Sequence, residues 1–289
     1  MAITGMLVGL PFGFDFYENK ASMFHLESLT NDVQGMLELY EATYMRVQGE
    51  VILDEAFVFT SSRLDEISKD PLRSNSTLSS LIQVTLKLPL WRSFPRLEAL
   101  HYIPFYQKQA SHDGSLLRLA KLGFNLLQSL HKKELSQVSK WWKGFDVSNN
   151  LPYARDRIVA CYFWALGLYF EPQYSSSRIF LAKMFAMITL IDDTYDAYGT
   201  HEELECFIEA IRRWSITCLE MLPEYMKLIY QKLMDMYKEM EDMLVKEGRA
   251  YHLSYSKEFV IKMVKEIWMK RNGLLKSTCQ QQMSTFRLH

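Results

Sequence analysis

Three carboxylates close a long apolar stretch: Asp192, Asp193 and Asp196 follow RIFLAKMFAMITLI (178–191). If that stretch is a helix ending at Gly199, they fall near its C-terminus. Carbonyls there already carry partial negative charge, so the dipole and mutual repulsion both disfavour them. On a helix of 3.6 residues per turn, Asp192 and Asp196 share one face, about 40° apart. A divalent cation supplies the missing charge, and an all-oxygen set suits Mg2+, with Mn2+ as its substitute. The competing reading is a solvated acidic cap on the helix end. An EF-hand is excluded, because neither the DxDxDG spacing nor the later bidentate Glu is present.

Upstream, Arg155 and Arg157 bracket Asp156 in the loop LPYARDR (151–157). Paired guanidiniums suit the forked recognition of phosphate or diphosphate, although two surface arginines would give the same pattern. Arg155 precedes Asp192 by 37 residues, enough for one helix out and one back, which returns the acidic helix end to the arginine rim. Trp164, two turns beyond Arg157, would then lie deeper, where its π face can stabilise a carbocation. An ordinary core tryptophan is the alternative. The sequence has no HExxH, GxSxG or P-loop motif.

The elements that must position these residues are helices. NDVQGMLELYEATYMRV (31–47) sets Val33, Leu37 and Tyr40 on one face, with Met36 alongside. KDPLRSNSTLSS (69–80) reads as a loop, an apolar helix follows around 81–88, and PFYQKQASHDGS (104–115) reads as a second break. Residues 116–145 and 158–170 are helical in pattern. Ser175, Ser176 and Ser177 can cap the next helix, which should begin near Arg178. Thr200 to Glu203 is a capping box, and Leu204, Phe207, Ile208 and Ile211 follow at helical spacing.

Composition agrees with an all-α reading. Of 289 residues 48% are hydrophobic and 23% charged, while 12 glycines and 8 prolines are too few for the turns of an all-β protein. A net charge of −1 gives no basic excess for nucleic acid or an anionic membrane surface. Lys132, Lys133, Lys140 and Lys143, with Trp141 and Trp142, read as a solvated amphipathic face. Cys161, Cys206, Cys218 and Cys279 are widely spaced, as free thiols in a reducing compartment are. Residues 1–30 are irregular, with no basic residue before Lys20 to open a signal peptide. No run of 18 apolar residues suggests a transmembrane segment, and a cytoplasmic location is expected.

The ARDR loop, CYFWALGLYFEPQYS (161–175), IDDTYDAYGT (191–200) and RRWSITCLEMLPEYMKLIY (212–230) together resemble plant class I terpene synthases. The likeness is strongest to sesquiterpene cyclases of the cadinene-synthase type. NDVQGMLELYEATYMRVQGEVILDEA (31–56) and FNLLQSLHKKELSQVSKWWK (124–143) extend it over residues 30 to 265. The resemblance implies an all-α fold: the end of a helical N-terminal domain (1–115), then the first half of a class I helical bundle (116–264). It implies that Asp192, Asp193 and Asp196 bind Mg2+, that Arg155 and Arg157 receive the diphosphate, and that Trp164 lines the pocket as a catalytic aromatic. The implied substrate is farnesyl diphosphate or another prenyl diphosphate, ionised and cyclised to a cadinene-type product.

The family's RRx8W element and its second, NSE/DTE-type metal motif do not occur in this sequence. Residues 265–289 diverge from the family. Trp268 to Gly273 can nevertheless encode D-E-A-K-W when each codon is read from its third nucleotide, which points to a reading-frame slip between Val264 and Trp268. A chain shortened at both ends is expected to be inactive and to expose an apolar face available for oligomerisation. The alternatives are a non-catalytic protein binding prenyl diphosphate and Mg2+, and a helical interaction partner.

Overall fold

The computed structural model describes residues 32–69, 77–246 and 248–273, and all regular structure among them is helical. The residue 1–30 segment, most of the 69–80 loop, Cys279 and the tail beyond Gly273 lie outside the described residues. The chain divides into two compact units, Met1–Asp113 and Gly114–His289.

In the first unit, α1 (Val33–Thr43) starts at Asp32, whose carboxylate accepts from the Gly35 amide at 2.9 Å. The helical spacing buries Met36, Leu37 and Tyr40, which meet Leu64 of α2 (Val51–Lys69) and Ile82 of α3 (Thr77–Lys87). Tyr40 stacks on Phe57 with ring centroids 5.9 Å apart. Where the sequence suggests a break from residue 104, α4 (Pro95–Lys108) instead runs through Pro104. Tyr102 bridges the proline through ring contacts to Phe105 and Tyr106, at 5.7 and 6.2 Å. Such contacts offset the lost helix hydrogen bond.

The second unit is built around α8 (Ser175–Ala197), which packs against α5 (Gly114–Lys143), α7 (Ile158–Leu168), α10 (Glu224–Lys246) and α11 (His252–Arg271). The short α6 (Val147–Asn150) joins α5 to the arginine loop. The apolar run of α8 does what its composition requires: Ala182, Met184, Ala186, Met187, Leu190 and Ile191 are all buried. Following α8, α9 (His201–Arg213) opens with the expected capping box. Thr200 Oγ1 accepts from the Glu203 amide, and the Thr200 amide donates to Glu203 Oε2. Leu204, Phe207 and Ile211 are buried, with Ile208 at the edge of the core.

Gly199 lies between α8 and α9, where a Cβ would stand 2.6 Å from Leu204 Cδ2. The close approach of that buried leucine is why glycine fits there.

A buried ion pair fastens α5 and α7 to the start of α8. Arg178, fully buried, donates through Nε to Glu134 Oε2 and through Nη2 to Oε1, both at 2.7 Å. Glu134 also accepts from Tyr162 Oη at 2.7 Å and Ser175 Oγ at 2.6 Å. The remaining Arg178 donor, Nη1, reaches the Tyr169 and Glu171 carbonyls. Burial alone would raise the Glu134 carboxyl, but these donors outweigh it and hold the group below the usual carboxylate range. The serines therefore do not cap α8 from outside. They form its first turn, and Ser175 spends its hydroxyl on Glu134.

Candidate functional site

The arginine loop and the end of α8 meet. Tyr153 stacks on Tyr198 with centroids 4.5 Å apart, and its hydroxyl lies 3.0 Å from Thr194 Oγ1. Tyr225 closes the cluster edge-on to both rings. These contacts carry Arg155 and Arg157 to Asp193.

Asp193 is 3% exposed and Arg155 64% exposed. The Arg155 amide donates to Asp193 Oδ2 at 2.9 Å, and its guanidinium donates to Oδ1 through Nε at 3.1 Å and through Nη2. Arg157 Nη1 lies 3.4 Å from the same oxygen. Burial pushes the Asp193 carboxyl up, but the two arginines reverse this and hold it low. The loop also caps itself, since Asp156 Oδ1 accepts from the Ile158 amide at the start of α7.

The other two aspartates are placed differently. Asp192 is half-buried and Asp196 exposed, on the face anticipated from their spacing. Burial raises the Asp192 carboxyl, and the neighbouring Asp196 raises it further. That is a surplus of negative charge at a helix C-terminus, which fits a divalent cation. Among the described residues no three His, Cys, Asp or Glu side chains converge to hold a metal, because Asp193 is turned onto the arginines. The pair Asp192–Asp196 lies outside the arginine loop's hydrogen bonds.

An open depression of about 700 Å3 flanks the loop, bordered by Asp156, Arg157, Ile158, Val159, Ala160 and Phe163. Trp164 is not on its wall. It is 45% exposed and meets Phe185 edge-on at 6.1 Å. The helix α7 buries Ile158, Cys161, Tyr162 and Ala165, while Val159, Phe163, Trp164 and Leu168 are exposed. The face of α5 is open as well, at Leu119, Leu122 and Leu126. Along the anticipated solvated face of α5, Trp142 is buried and Trp141 lies under the Lys183 and Lys232 ammonium groups.

Two features that sequence reasoning did not single out belong here. One is the Glu134–Arg178 pair, 44 residues apart and without any local signal. The other is the end of α11. Arg271 Nη1 donates to the Asp196 carbonyl at 2.7 Å, and Lys270 Nζ stands 4.0 Å from Asp196 Oδ2. Trp268 of the same turn stacks on His201 at 6.3 Å. The segment after Val264 thus continues α11 and reaches the acidic helix end.

An all-helical unit with an acidic helix end facing an arginine loop has the architecture of a class I terpenoid-synthase bundle. Residues 143–281 match the family described as "Terpene synthase family, metal binding domain", and residues 12–86 match "Terpene synthase, N-terminal domain". The chain is 58% identical over 247 residues to a sesquiterpene synthase of Xanthium strumarium, covering 85% of this chain and 45% of that protein. It is 49% identical over 251 residues to (+)-delta-cadinene synthase isozyme A of Gossypium arboreum, covering 87% and 44%. Its fold matches the crystal structure of isoprene synthase from grey poplar leaves (Populus x canescens) in complex with three Mg2+ ions and dimethylallyl-S-thiolodiphosphate. There the TM-score is 0.76 at 37% identity, covering 86% of this chain and 48% of that one. The chain belongs to the terpene synthase family, and it spans less than half the length of these relatives. It carries the family's divalent-metal-binding domain. Among the described residues no helix is long and apolar enough to cross a membrane.

Proposed function

We propose that this chain carries the diphosphate-gripping part of a Mg2+-dependent sesquiterpene cyclase, acting on farnesyl diphosphate to give a cadinene-type product. The observation behind the proposal is that Arg155 and Arg157 of one loop both meet Asp193, next to the carboxylate pair Asp192 and Asp196 at the same helix end. Mg2+ bound at the aspartates would supply positive charge to the departing diphosphate. Arg155 and Arg157 are suited to take the diphosphate oxygens in forked hydrogen bonds. In taking those oxygens they would loosen their hold on Asp193, which with Asp192 and Asp196 would make up the carboxylate set for Mg2+.

Cleavage of the C–O bond leaves both electrons on the diphosphate and an allylic cation on the prenyl group. The resemblance gives Trp164 the role of stabilising that cation with its π face; at 45% exposure it would do so only once its open side is covered. Cys161, Cys206 and Cys218 are free thiols, which suits a cytoplasmic setting.

The test is incubation of the purified chain with farnesyl diphosphate and Mg2+, followed by assay of released diphosphate and of hydrocarbon products. A cyclic sesquiterpene supports the cyclase reading. Binding without release identifies a non-catalytic prenyl-diphosphate protein, and a folded sample that does neither contradicts both. Exposure of Leu119, Leu122 and Leu126 favours a second reading, self-association through α5. Light scattering checks it: a strictly monomeric chain at assay concentration rules it out.

A further inference from the structure

The acidic end of α8 already has a cation of its own. Lys270 Nζ stands 4.0 Å from Asp196 Oδ2, on the face that Asp196 shares with Asp192. Next to it, Arg271 donates to the Asp196 main-chain carbonyl at 2.7 Å, so the last turn of α11 is fastened to the last turn of α8. That turn is anchored from beneath by Val264 and Ile267, both buried, and by the stacking of Trp268 on His201. Both helices end here, and their exposed carbonyls add partial negative charge to that of the aspartates. Lysine and arginine in the last turn of α11 are the residues such a junction favours.

The consequence follows from charge and place. A divalent cation entering between Asp192 and Asp196 would meet an ammonium 4.0 Å from one Asp196 oxygen, and would have to displace it or bear its repulsion. Lys270 itself is 65% exposed and rotatable, so it can leave without unfolding the helix. Arg271 holds the main chain and keeps the ammonium close when it returns.

We infer that Lys270 is a tethered counter-cation of the Asp192–Asp196 pair, one that weakens and gates divalent-metal binding at this helix end. It stabilises the metal-free form by neutralising the pair and is displaced as metal binds. Arg271 acts as a positioning residue for it. The inference rests on the proposal that the pair binds a divalent cation.

The experiment titrates Mn2+ into the full chain, following loss of the free-ion electron paramagnetic resonance signal, for wild type, Lys270→Ala, Lys270→Arg and Asp192→Asn/Asp196→Asn. Removing one positive charge a few ångströms from a dication at a partly exposed site should tighten binding about threefold to tenfold at low ionic strength. Lys270→Arg should restore the wild-type affinity. A purely structural role for Lys270 would weaken binding or leave it unchanged, and either result overturns the inference. Failure of wild type and Lys270→Ala alike to bind Mn2+ would overturn the metal proposal together with the inference. Wild-type binding that needs the aspartates but ignores Lys270 would overturn the inference alone. Thermal melts give a second reading: without metal Lys270→Ala should melt below wild type, and saturating Mn2+ should raise its midpoint by more. Equal shifts in the two proteins would contradict the displacement step.

Discussion

Glu134→Ala should be among the most damaging single substitutions in the second unit. The change strands two donors of a fully buried guanidinium, Arg178 Nε and Nη2, and leaves the hydroxyls of Tyr162 and Ser175 without their acceptor. Breaking a buried pair by removing one partner costs about 3–5 kcal/mol. Against a total stability of about 5–15 kcal/mol that is a large fraction. The helices affected are α5, α7 and α8, which hold the arginine loop and the aspartates in one frame. The two backbone acceptors of Nη1 survive, so the loss should not reach the full desolvation energy of an isolated charge.

The decisive comparison is a cycle of wild type, Glu134→Met, Arg178→Met and the double variant Glu134→Met/Arg178→Met, which removes both charges and restores apolar volume. It should lose far less than the sum of the two single changes, leaving a coupling energy of about 2–3 kcal/mol. Urea denaturation followed by far-ultraviolet circular dichroism gives all four free energies. Glu134→Ala costing less than about 1 kcal/mol, or a double variant costing the full sum, would refute the assignment of this pair as the fastening of the bundle.

The same pair sets a pH dependence. Because the folded Glu134 carboxyl lies below its ordinary value, its contribution is complete above the unfolded carboxylate range and is lost as pH falls through the lower folded value. The stability gap between wild type and Glu134→Gln should therefore be constant near neutrality and shrink in acid; a gap that widens in acid would give the wrong sign. Gly199→Ala should destabilise by about 1–3 kcal/mol, since its Cβ would meet Leu204 Cδ2 at 2.6 Å, and a thermal melt unchanged from wild type would show that Leu204 yields freely. Asp193→Ala should free the arginine loop and speed amide exchange at Arg155, whose N–H now donates to that carboxylate; unchanged protection would mean the loop is held by Tyr153 alone.

Where the sequence carries a strong local rule, the fold was legible from it. The Thr200–Glu203 capping box, the apolar run of α8 and the shared face of Asp192 and Asp196 each follow from spacing alone. Long-range pairing follows no such rule. Nothing in the pattern of α5 distinguishes Glu134 from its solvated neighbours, and Arg178 looks like an ordinary first-turn residue until both are seen buried together. The orientation of α7 was equally hidden, because a helix apolar all round gives no direction. Trp164, expected to lie deeper than the arginines, is on the open side with Val159 and Phe163. Pro104 shows the opposite failure, a strong breaker accommodated by ring contacts within its own helix. At the site, spacing gathered three aspartates into one set. The structure divides them, with Asp193 held by the arginines and Asp192 and Asp196 outside their hydrogen bonds, because a buried carboxylate takes the nearest forked donor.

The central claim is that Asp192, Asp196 and the loop arginines act together on a prenyl diphosphate. Calorimetric titration of farnesyl diphosphate into the chain, with Mg2+ or with a chelator, tests it most directly when wild type is compared with Asp192→Asn/Asp196→Asn. The account predicts tight binding by wild type only when Mg2+ is present, and no Mg2+ dependence in the double variant. Binding that is equally strong with the chelator, or unaffected by loss of both carboxylates, would contradict it.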